Sequence, residues 1–349
     1  MRDQSETVDD YRRRKASPHT GTVETESIAI LHCQVTDRGC SVVSYCSHQA
    51  PNLLVIVILA RGRCGLSKCF TYYLEAIAVF DFLVIISVIL NRIGRIYFRY
   101  NVLSTTPVCS LIAVLVHSTQ DGSVWLTVAF TIDRFVAICC QNLKTRYCTE
   151  KTASLVIGTV CILNCIKNVP LYFIYRPLYT IRGVPWFCNI KSTYYTFPVW
   201  QAYDMLDPIL IPIFPFVLIF LLNALTIKHI LGANRSRQRL RGVENRQDPE
   251  IMNHKRPIVL LFAISLSFFL LWATQVGRFL YVRVRGAGYF NNQNFKDPQY
   301  IISETTNMLQ LLSSCNNFFI YAVSQNKFRE ELKVVMKYPF IIHKSVFKR

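Results

Sequence analysis

The sequence predicts an all-α fold, a bundle of seven membrane-crossing helices followed by a short amphipathic helix on the membrane surface. Hydrophobic residues make up 52% of the 349-residue chain, more than is usual in soluble domains. Apolar runs of about 20 residues, enough to cross a bilayer, recur along it. Because lipid cannot hydrogen-bond to the backbone, we expect these runs to be helices. They lie at 70–92, 106–132, 152–174, 205–230, 257–282 and 299–323, with a weaker one at 42–60.

The second of these runs has a polar marker at each end. Cys109 begins it, and the acid-base pair Asp133-Arg134 ends it. As an α-helix, this stretch rises about 37 Å at roughly 1.5 Å per residue, slightly more than a hydrocarbon core of about 30 Å. We therefore expect Cys109 and Arg134 to lie at opposite faces of the membrane.

The net charge of +18 could suggest nucleic acid as a partner, but the placement of the basic residues argues for a membrane protein. They fall largely in loops and in the tail 327–349. One of these loops is the basic connector 230–256, which is either a solvated connector or a contact with a G protein and anionic lipid head groups. The opposite loops are also basic, so charge alone sets the orientation only weakly. Lys167, near the end of the fourth span, is expected to extend its ammonium to the interface.

The spacing of Cys109 and the triplet Asp133-Arg134-Phe135 resembles the third transmembrane helix of rhodopsin-like (class A) G-protein-coupled receptors. The segments SVWLTVAFTIDRF, LLNALTI and NNFFIY are further similar to the orphan branch reported to sense aromatic amino acids. The resemblance implies a disulfide between Cys109 and Cys188, both on the oxidising side. It also implies that a heterotrimeric G protein is contacted by Asp133, Arg134, Phe135, Asn317 and Tyr321.

Asp81 lies near the middle of the first strong span. A charge at that depth costs about 2.5–3.5 kcal/mol on insertion scales, so a functional role is the default interpretation. In the family that the sequence resembles, an acid at this place anchors an internal sodium ion. Oxygen ligands around a carboxylate suit a small cation. The matching positions are Asp81, Ser123, Ser314, Asn317 and Asn52, and no other cofactor is expected.

The resemblance also implies a ligand pocket and a packing switch beneath it. Val116 stands where amine receptors carry an aspartate, which argues against a monoamine. Aromatic and polar residues in the outer half of the bundle suit an amino-acid-like small molecule or a short peptide. The expected pocket residues are His117, Gln120, Trp272, Gln275, Phe279, Glu304 and Asn307. The expected switch residues are Val124, Pro215 and Phe268.

Several positions depart from the family pattern. Thr274 replaces the proline that kinks the sixth helix, and Pro51 replaces a glycine in the first. The acid often found at the foot of the sixth helix is absent, with His254 and Lys255 there instead, so the local Asp133-Arg134 pair would be the lock and basal activity could be raised. A receptor fold that no longer signals is therefore the main alternative. A transporter is disfavoured because no internal repeat is seen, and an enzyme because no catalytic motif is found.

The predicted organisation has three parts. Residues 1–41 form a disordered tail, and 42–323 form the seven-helix receptor domain with a weak or truncated first helix. A spliced-in or mispredicted exon would explain that weakness. Residues 324–349 form a surface helix, beginning with the amphipathic stretch 326–336, and a short cytoplasmic tail. We expect a multi-pass protein of the plasma membrane with its N-terminus outside and its C-terminus in the cytoplasm.

Overall fold

The computed structural model describes residues 50–96, 101–241, 249–285 and 298–346, and these residues are mostly helical. The predicted tail 1–41 and the start of the weak span at 42–49 lie outside the described residues. The helices are α1 (Ala50–Ala60), α2 (Lys68–Ile96), α3 (Thr106–Cys139), α4 (Gln141–Tyr147), α5 (Glu150–Asn168), α6 (Thr193–Thr196), α7 (Pro198–Pro208), α8 (Phe214–Arg241), α9 (Pro249–Arg285), α10 (Pro298–Ser324) and α11 (Asn326–Val346).

The predicted membrane helices are present. Among the described residues, five stretches are long and apolar enough to cross a membrane: Lys68–Asn91, Thr106–Cys139, Glu150–Ile174, Pro198–Ala233 and Ile258–Val284. The helix α10 has 27 residues and adds a further long helix, while α1 is a shorter apolar helix over 50–60. The all-α prediction is therefore confirmed, five of the six strong spans coincide with these stretches, and the sixth, 299–323, is a long helix.

The helix α3 lies at the centre of the bundle, where it packs against α2, α5 and α8. Its approach to α2 depends on Gly122, because a Cβ there would overlap the ring of Phe80. The largest buried cluster lies on the Arg134 side of this contact and includes Phe70 and Phe130, whose rings meet edge to face at 5.3 Å. Close packing of α2 on α3 therefore fixes the relative position of Asp81 and Asp133, which these two helices carry.

The fifth predicted span is a helix with an irregular segment. The helix α7 is followed by a π-helical turn, Ile209–Ile213, before α8 begins. Pro212 has no amide hydrogen and so cannot complete an α-helical hydrogen bond, and the Phe214 amide instead donates to the Ile209 carbonyl five residues back. The π turn therefore offsets the residues of α7 from those of α8 around the helix axis.

The segment between α5 and α6 contains short strands that the sequence did not predict. β1 (Tyr175–Arg176) pairs with β4 (Asn189–Ile190), and β2 (Tyr179–Ile181) pairs with β3 (Val184–Trp186), both antiparallel. Cys188 in this segment is bridged to Cys109 of α3, with the two Cα atoms 6.1 Å apart. The Thr106 hydroxyl also donates to the Phe187 carbonyl at 2.6 Å. The predicted disulfide is confirmed, and it holds the segment on the end of α3.

At the Arg134 end, the helices are longer than the sequence analysis expected. The connector predicted at 230–256 is largely helical, because α8 continues to Arg241 and α9 already begins at Pro249. The surface helix predicted over 326–336 extends to Val346 as α11. An ion pair between Arg61 and Glu331, at 3.2 Å, joins α11 to the residues that follow α1.

Candidate functional site

The carboxylate of Asp81 is buried between α2, α3 and α10. The Ser123 hydroxyl donates to its Oδ1 at 2.6 Å, and the Asn317 amide donates to its Oδ2 at 2.7 Å. The Ser314 side chain interacts with the same carboxylate. Asn52 of α1 lies one step away, since its Nδ2 donates to the Ser314 carbonyl at 2.9 Å while its Oδ1 is buried without a hydrogen-bond partner. The structure therefore brings three of the predicted sodium-site residues, Ser123, Ser314 and Asn317, onto the carboxylate of the fourth, Asp81, and places Asn52 behind them.

A small cavity of about 20 Å³ lies against this cluster, enough for about one water-sized species. The Asp81 cluster presents to this cavity one carboxylate, the hydroxyls of Ser123 and Ser314 and the carboxamide of Asn317, which are hard oxygen ligands of the kind that small cations prefer. The residues present therefore fit a small cation. The lining residues are Asp81, Gln120, Ser123, Val124, Thr127, Ile264, Ser267, Phe268, Trp272, Gln310, Ser313, Ser314 and Asn317.

The same cavity reaches the expected packing switch. Val124 and Phe268 belong to one buried cluster with Trp272, and the rings of Phe268 and Trp272 lie 5.6 Å apart. Pro215 is buried in the first turn of α8. A movement of Trp272 would therefore displace Phe268 and change the lining of the Asp81 cavity.

Only some of the predicted ligand-pocket residues line a common cavity in the structure. Gln120 and Trp272 line the Asp81 cavity, while His117 bonds through Nδ1 to the Ala113 carbonyl of its own helix at 2.8 Å. The Gln275 Oε1 is buried without a hydrogen-bond partner, and an unpaired polar atom of this kind is a candidate for ligand contact. Glu304 and Asn307 are half-buried on α10, one turn apart.

Phe279, the remaining pocket residue, belongs to a polar cluster near the disulfide end. The guanidinium of Arg283 lies 5.4 Å from the Phe279 ring and pairs with Asp204 of α7 at 2.6 Å. The Tyr194 hydroxyl donates to the other oxygen of Asp204 at 3.2 Å. Burial and the Asp204 carboxylate raise the pKa of Tyr194 well above its usual value, so this phenol stays a neutral donor. The cluster ties α7 to α9 and was not expected from the sequence.

Asp133 and Arg134 form a buried ion pair at the other end of α3. Arg134 Nε donates to Asp133 Oδ2 at 2.9 Å, and its Nη2 contacts the same oxygen. The Cys148 thiol donates to the Asp133 carbonyl at 3.7 Å. Burial and the nearby Asp133 raise the pKa of Cys148 to about 11, so it acts as a neutral thiol. Among the described side chains, Asp133 is the acid that pairs with Arg134.

The other residues expected to contact a G protein make separate contacts. Phe135 is half-buried. Tyr321 is buried with its hydroxyl lacking a hydrogen-bond partner, and its ring packs on Phe328 at 5.9 Å. Asn317 is engaged by Asp81. Among the residues that the structure describes, Arg134 and Tyr321 therefore do not share a polar contact.

A third buried charge cluster was missed by the sequence analysis. Lys167 does not extend to the interface as expected: its ammonium pairs with Asp121 at 2.7 Å and also contacts Asp207. Asn168 donates to the same Asp121 oxygen at 2.7 Å. The expectation was wrong because two carboxylates from neighbouring helices hold the ammonium inside the bundle. Asp121 in an apolar run was the available signal, since a buried acid needs a partner.

Comparison with known proteins places these features in a family. The profile described as 7 transmembrane receptor (rhodopsin family) matches residues 51–321. The chain is 20% identical to the pyrokinin-1 receptor of Drosophila melanogaster, covering 82% of this chain and 76% of that protein. It is 24% identical to the FMRFamide receptor of the same species (80% and 49%), and 25% identical to melatonin receptor type 1B of Rattus norvegicus (65% and 58%).

These relatives do not support the finer resemblance to the branch reported to sense aromatic amino acids, because they are peptide and melatonin receptors. The chain spans about half the length of the FMRFamide receptor that it matches. The profile covers most of the chain, from α1 to the end of α10, and with it the disulfide, the Asp81 cluster and the Asp133-Arg134 pair. The chain belongs to the rhodopsin family of seven-transmembrane receptors, and it is a G-protein-coupled receptor.

Proposed function

We propose that the chain resides in the plasma membrane with its N-terminus outside, and that it passes the binding of an extracellular ligand to a heterotrimeric G protein through Arg134. The observation that carries this proposal is the polarity of α3. One end bears the Cys109–Cys188 bridge, which requires an oxidising compartment, and the other bears a buried arginine held by an adjacent acid. Opening of the bundle at that end would free Arg134, with Phe135, Asn317 and Tyr321, for the G protein.

A short peptide is the first candidate for the ligand and a small molecule the second. Two of the relatives are named for the peptides pyrokinin and FMRFamide, and a third for melatonin. The contact residues would be His117, Gln120, Trp272, Gln275, Phe279, Glu304 and Asn307. The unpaired Oε1 of Gln275 and the acid Glu304 would suit the amide and cationic groups of such a peptide.

The Asp81 cluster would hold a sodium ion that favours the inactive receptor. Asp81 would provide the charge, and Ser123, Ser314 and Asn317 would provide neutral oxygens, with Asn52 orienting Ser314 from behind. The cluster borders the cavity that Trp272 also lines. The ion and the ligand would therefore both affect the packing of the side chains around this cavity.

The alternative of a receptor fold that no longer signals is favoured by one observation. The helix α9, which forms the sixth membrane span, is continuous over Pro249–Arg285 and carries no proline after residue 257. It therefore lacks the proline kink on which the outward movement of this span depends. The helix would then have to move as one rod.

Resonance energy transfer between the receptor and each G-protein class in living cells separates these possibilities. We expect pyrokinin, FMRFamide or melatonin to activate at least one G-protein class through the wild-type receptor. Arg134→Ala should abolish the response at equal surface expression. Because the panel is finite, ligand-free activation above that of Arg134→Ala would also support the proposal. Wild type that reaches the surface yet never exceeds Arg134→Ala would favour the non-signalling alternative.

A further inference from the structure

The start of α2 touches both members of the Asp133-Arg134 pair. The Cys69 thiol donates to Asp133 Oδ1 at 3.2 Å. The next residue, Phe70, lies beneath the Arg134 guanidinium, whose central carbon is 4.3 Å from the ring centroid. Cys69 is 3% and Phe70 is 1% exposed, so both contacts are shielded from water.

The two contacts do not compete with the ion pair. Arg134 uses Oδ2 of Asp133, and Cys69 uses Oδ1, so the carboxylate is satisfied on both sides. A buried ion pair needs such additional hydrogen bonds to offset the loss of hydration. A desolvated guanidinium over an aromatic face is likewise attracted by the ring. The start of α2 therefore supplies one partner for the acid and another for the base.

Phe70 is itself held in place by α3. Its ring meets Phe130 edge to face at an interplanar angle of 67°, one helical turn before Arg134. The position of the ring under the guanidinium is thus set by the packing of α2 against α3. Movement of α2 away from α3 would remove both contacts together.

We propose that Cys69 and Phe70 are positioning residues that hold the Asp133-Arg134 pair closed and so set the ligand-free activity of the receptor. This inference rests on the proposed function, because Arg134 must couple to a G protein for the activity to change. The thiol contributes as a neutral hydrogen-bond donor and the ring as a cation acceptor. Replacement by a group that keeps the donor should preserve the effect.

The signalling test compares four variants in a ligand-free nucleotide-exchange assay on receptor in lipid nanodiscs. We expect Cys69→Ala and Phe70→Leu to raise exchange by about three- to tenfold, the range that corresponds to the net contribution of one ordinary hydrogen bond. Cys69→Ser keeps a donor and should stay close to wild type. Ile77→Ala is the matched control, since it shortens another buried side chain of α2 two helical turns from Phe70, and it should lower stability without raising exchange. Equal exchange in Cys69→Ala and Cys69→Ser would overturn the role of the thiol.

A second test does not depend on signalling. A double-mutant cycle on thermal unfolding combines Cys69→Ala with Asp133→Asn, and Phe70→Leu with Arg134→Gln. Non-additive shifts in Tm support the positioning contacts, and additive shifts overturn them. If the cycles are non-additive while no variant activates any G protein, the contacts stand and the proposed coupling function fails. If exchange is measurable but the cycles are additive, the coupling function stands and the positioning role fails.

Discussion

The ammonium of Lys167 in α5 lies 2.7 Å from the carboxylate of Asp121 in α3. The same ammonium contacts Asp207 of α7, so one cation links three helices. The lysine side chain is 21% exposed and that of Asp121 is 7% exposed. Removing one partner of a buried ionic group leaves uncompensated charge and is usually strongly destabilising.

We therefore expect Lys167→Met to destabilise the receptor by about 3–5 kcal/mol, the cost typical of breaking a buried ion pair. Surface expression and the Tm of the solubilised receptor measure it. Lys191→Met is the control, because that ammonium bonds a single carbonyl, of Phe173, in an exposed position. Adding Asp121→Asn and Asp207→Asn to Lys167→Met should recover much of the loss, whereas a further loss would contradict the charge argument.

Loss of the disulfide should destabilise the receptor to a similar extent. The bridge between Cys109 and Cys188 closes a loop with a sequence separation of 79. On the chain-entropy account, such a crosslink stabilises by about 4–5 kcal/mol. We expect Cys109→Ser, Cys188→Ser and the double variant to lower Tm equally, because each removes the same bond. Cys165→Ser, at an exposed free thiol, should have no effect, and unequal single variants would indicate a different pairing.

Sodium binding at Asp81 predicts a salt-specific gain in stability. A ligand that binds only the folded state raises its stability with concentration. We expect the Tm of wild type to rise in NaCl relative to choline chloride at equal ionic strength. Asp81→Asn should abolish the difference, and Ser123→Ala should reduce it. Equal Tm values for wild type in the two salts would exclude a stabilising sodium site.

The contact of α2 with α3 predicts opposite results for two glycines. At Gly122 a Cβ overlaps the Phe80 ring, so Gly122→Ala should destabilise the receptor by about 1–3 kcal/mol, as overpacking does. At Gly158 of α5 no atom lies within 4 Å, and Gly158→Ala should be neutral or stabilising by up to about 1 kcal/mol. The measurement is Tm, and Phe80→Leu should rescue Gly122→Ala. A rescue that fails would show that the glycine is needed for another reason.

The sequence was informative wherever the signal was local. Runs of apolar residues predicted the long helices, and Cys109 with Arg134 predicted the two ends of α3, because hydropathy and helical rise depend only on nearby residues. The partners of Asp81 could be predicted only through the family resemblance. Contacts between distant residues without such a precedent were missed.

The missed contacts share a physical cause. Lys167 is 46 residues from Asp121 and 40 from Asp207, and nothing local indicates that these side chains meet. The strands β1 to β4 have two or three residues each, too short for an alternating pattern to appear. The helical ends of α8 and α9 are polar and read as a connector, since helix beyond the bilayer needs no apolar run.

The π turn at Ile209–Ile213 sets the rotation of α7 relative to α8 about the axis of the fifth span. An additional residue in a helical turn changes the azimuth of all that precedes it by about 100°, the angle between successive residues. If that turn tightened to α-helix while α8 stayed fixed, Asp207 would swivel away from Lys167, and Asp204 would swivel away from Arg283. A conformational change confined to five residues would thus change the direction of the Asp204 and Asp207 side chains while α8 stays in place.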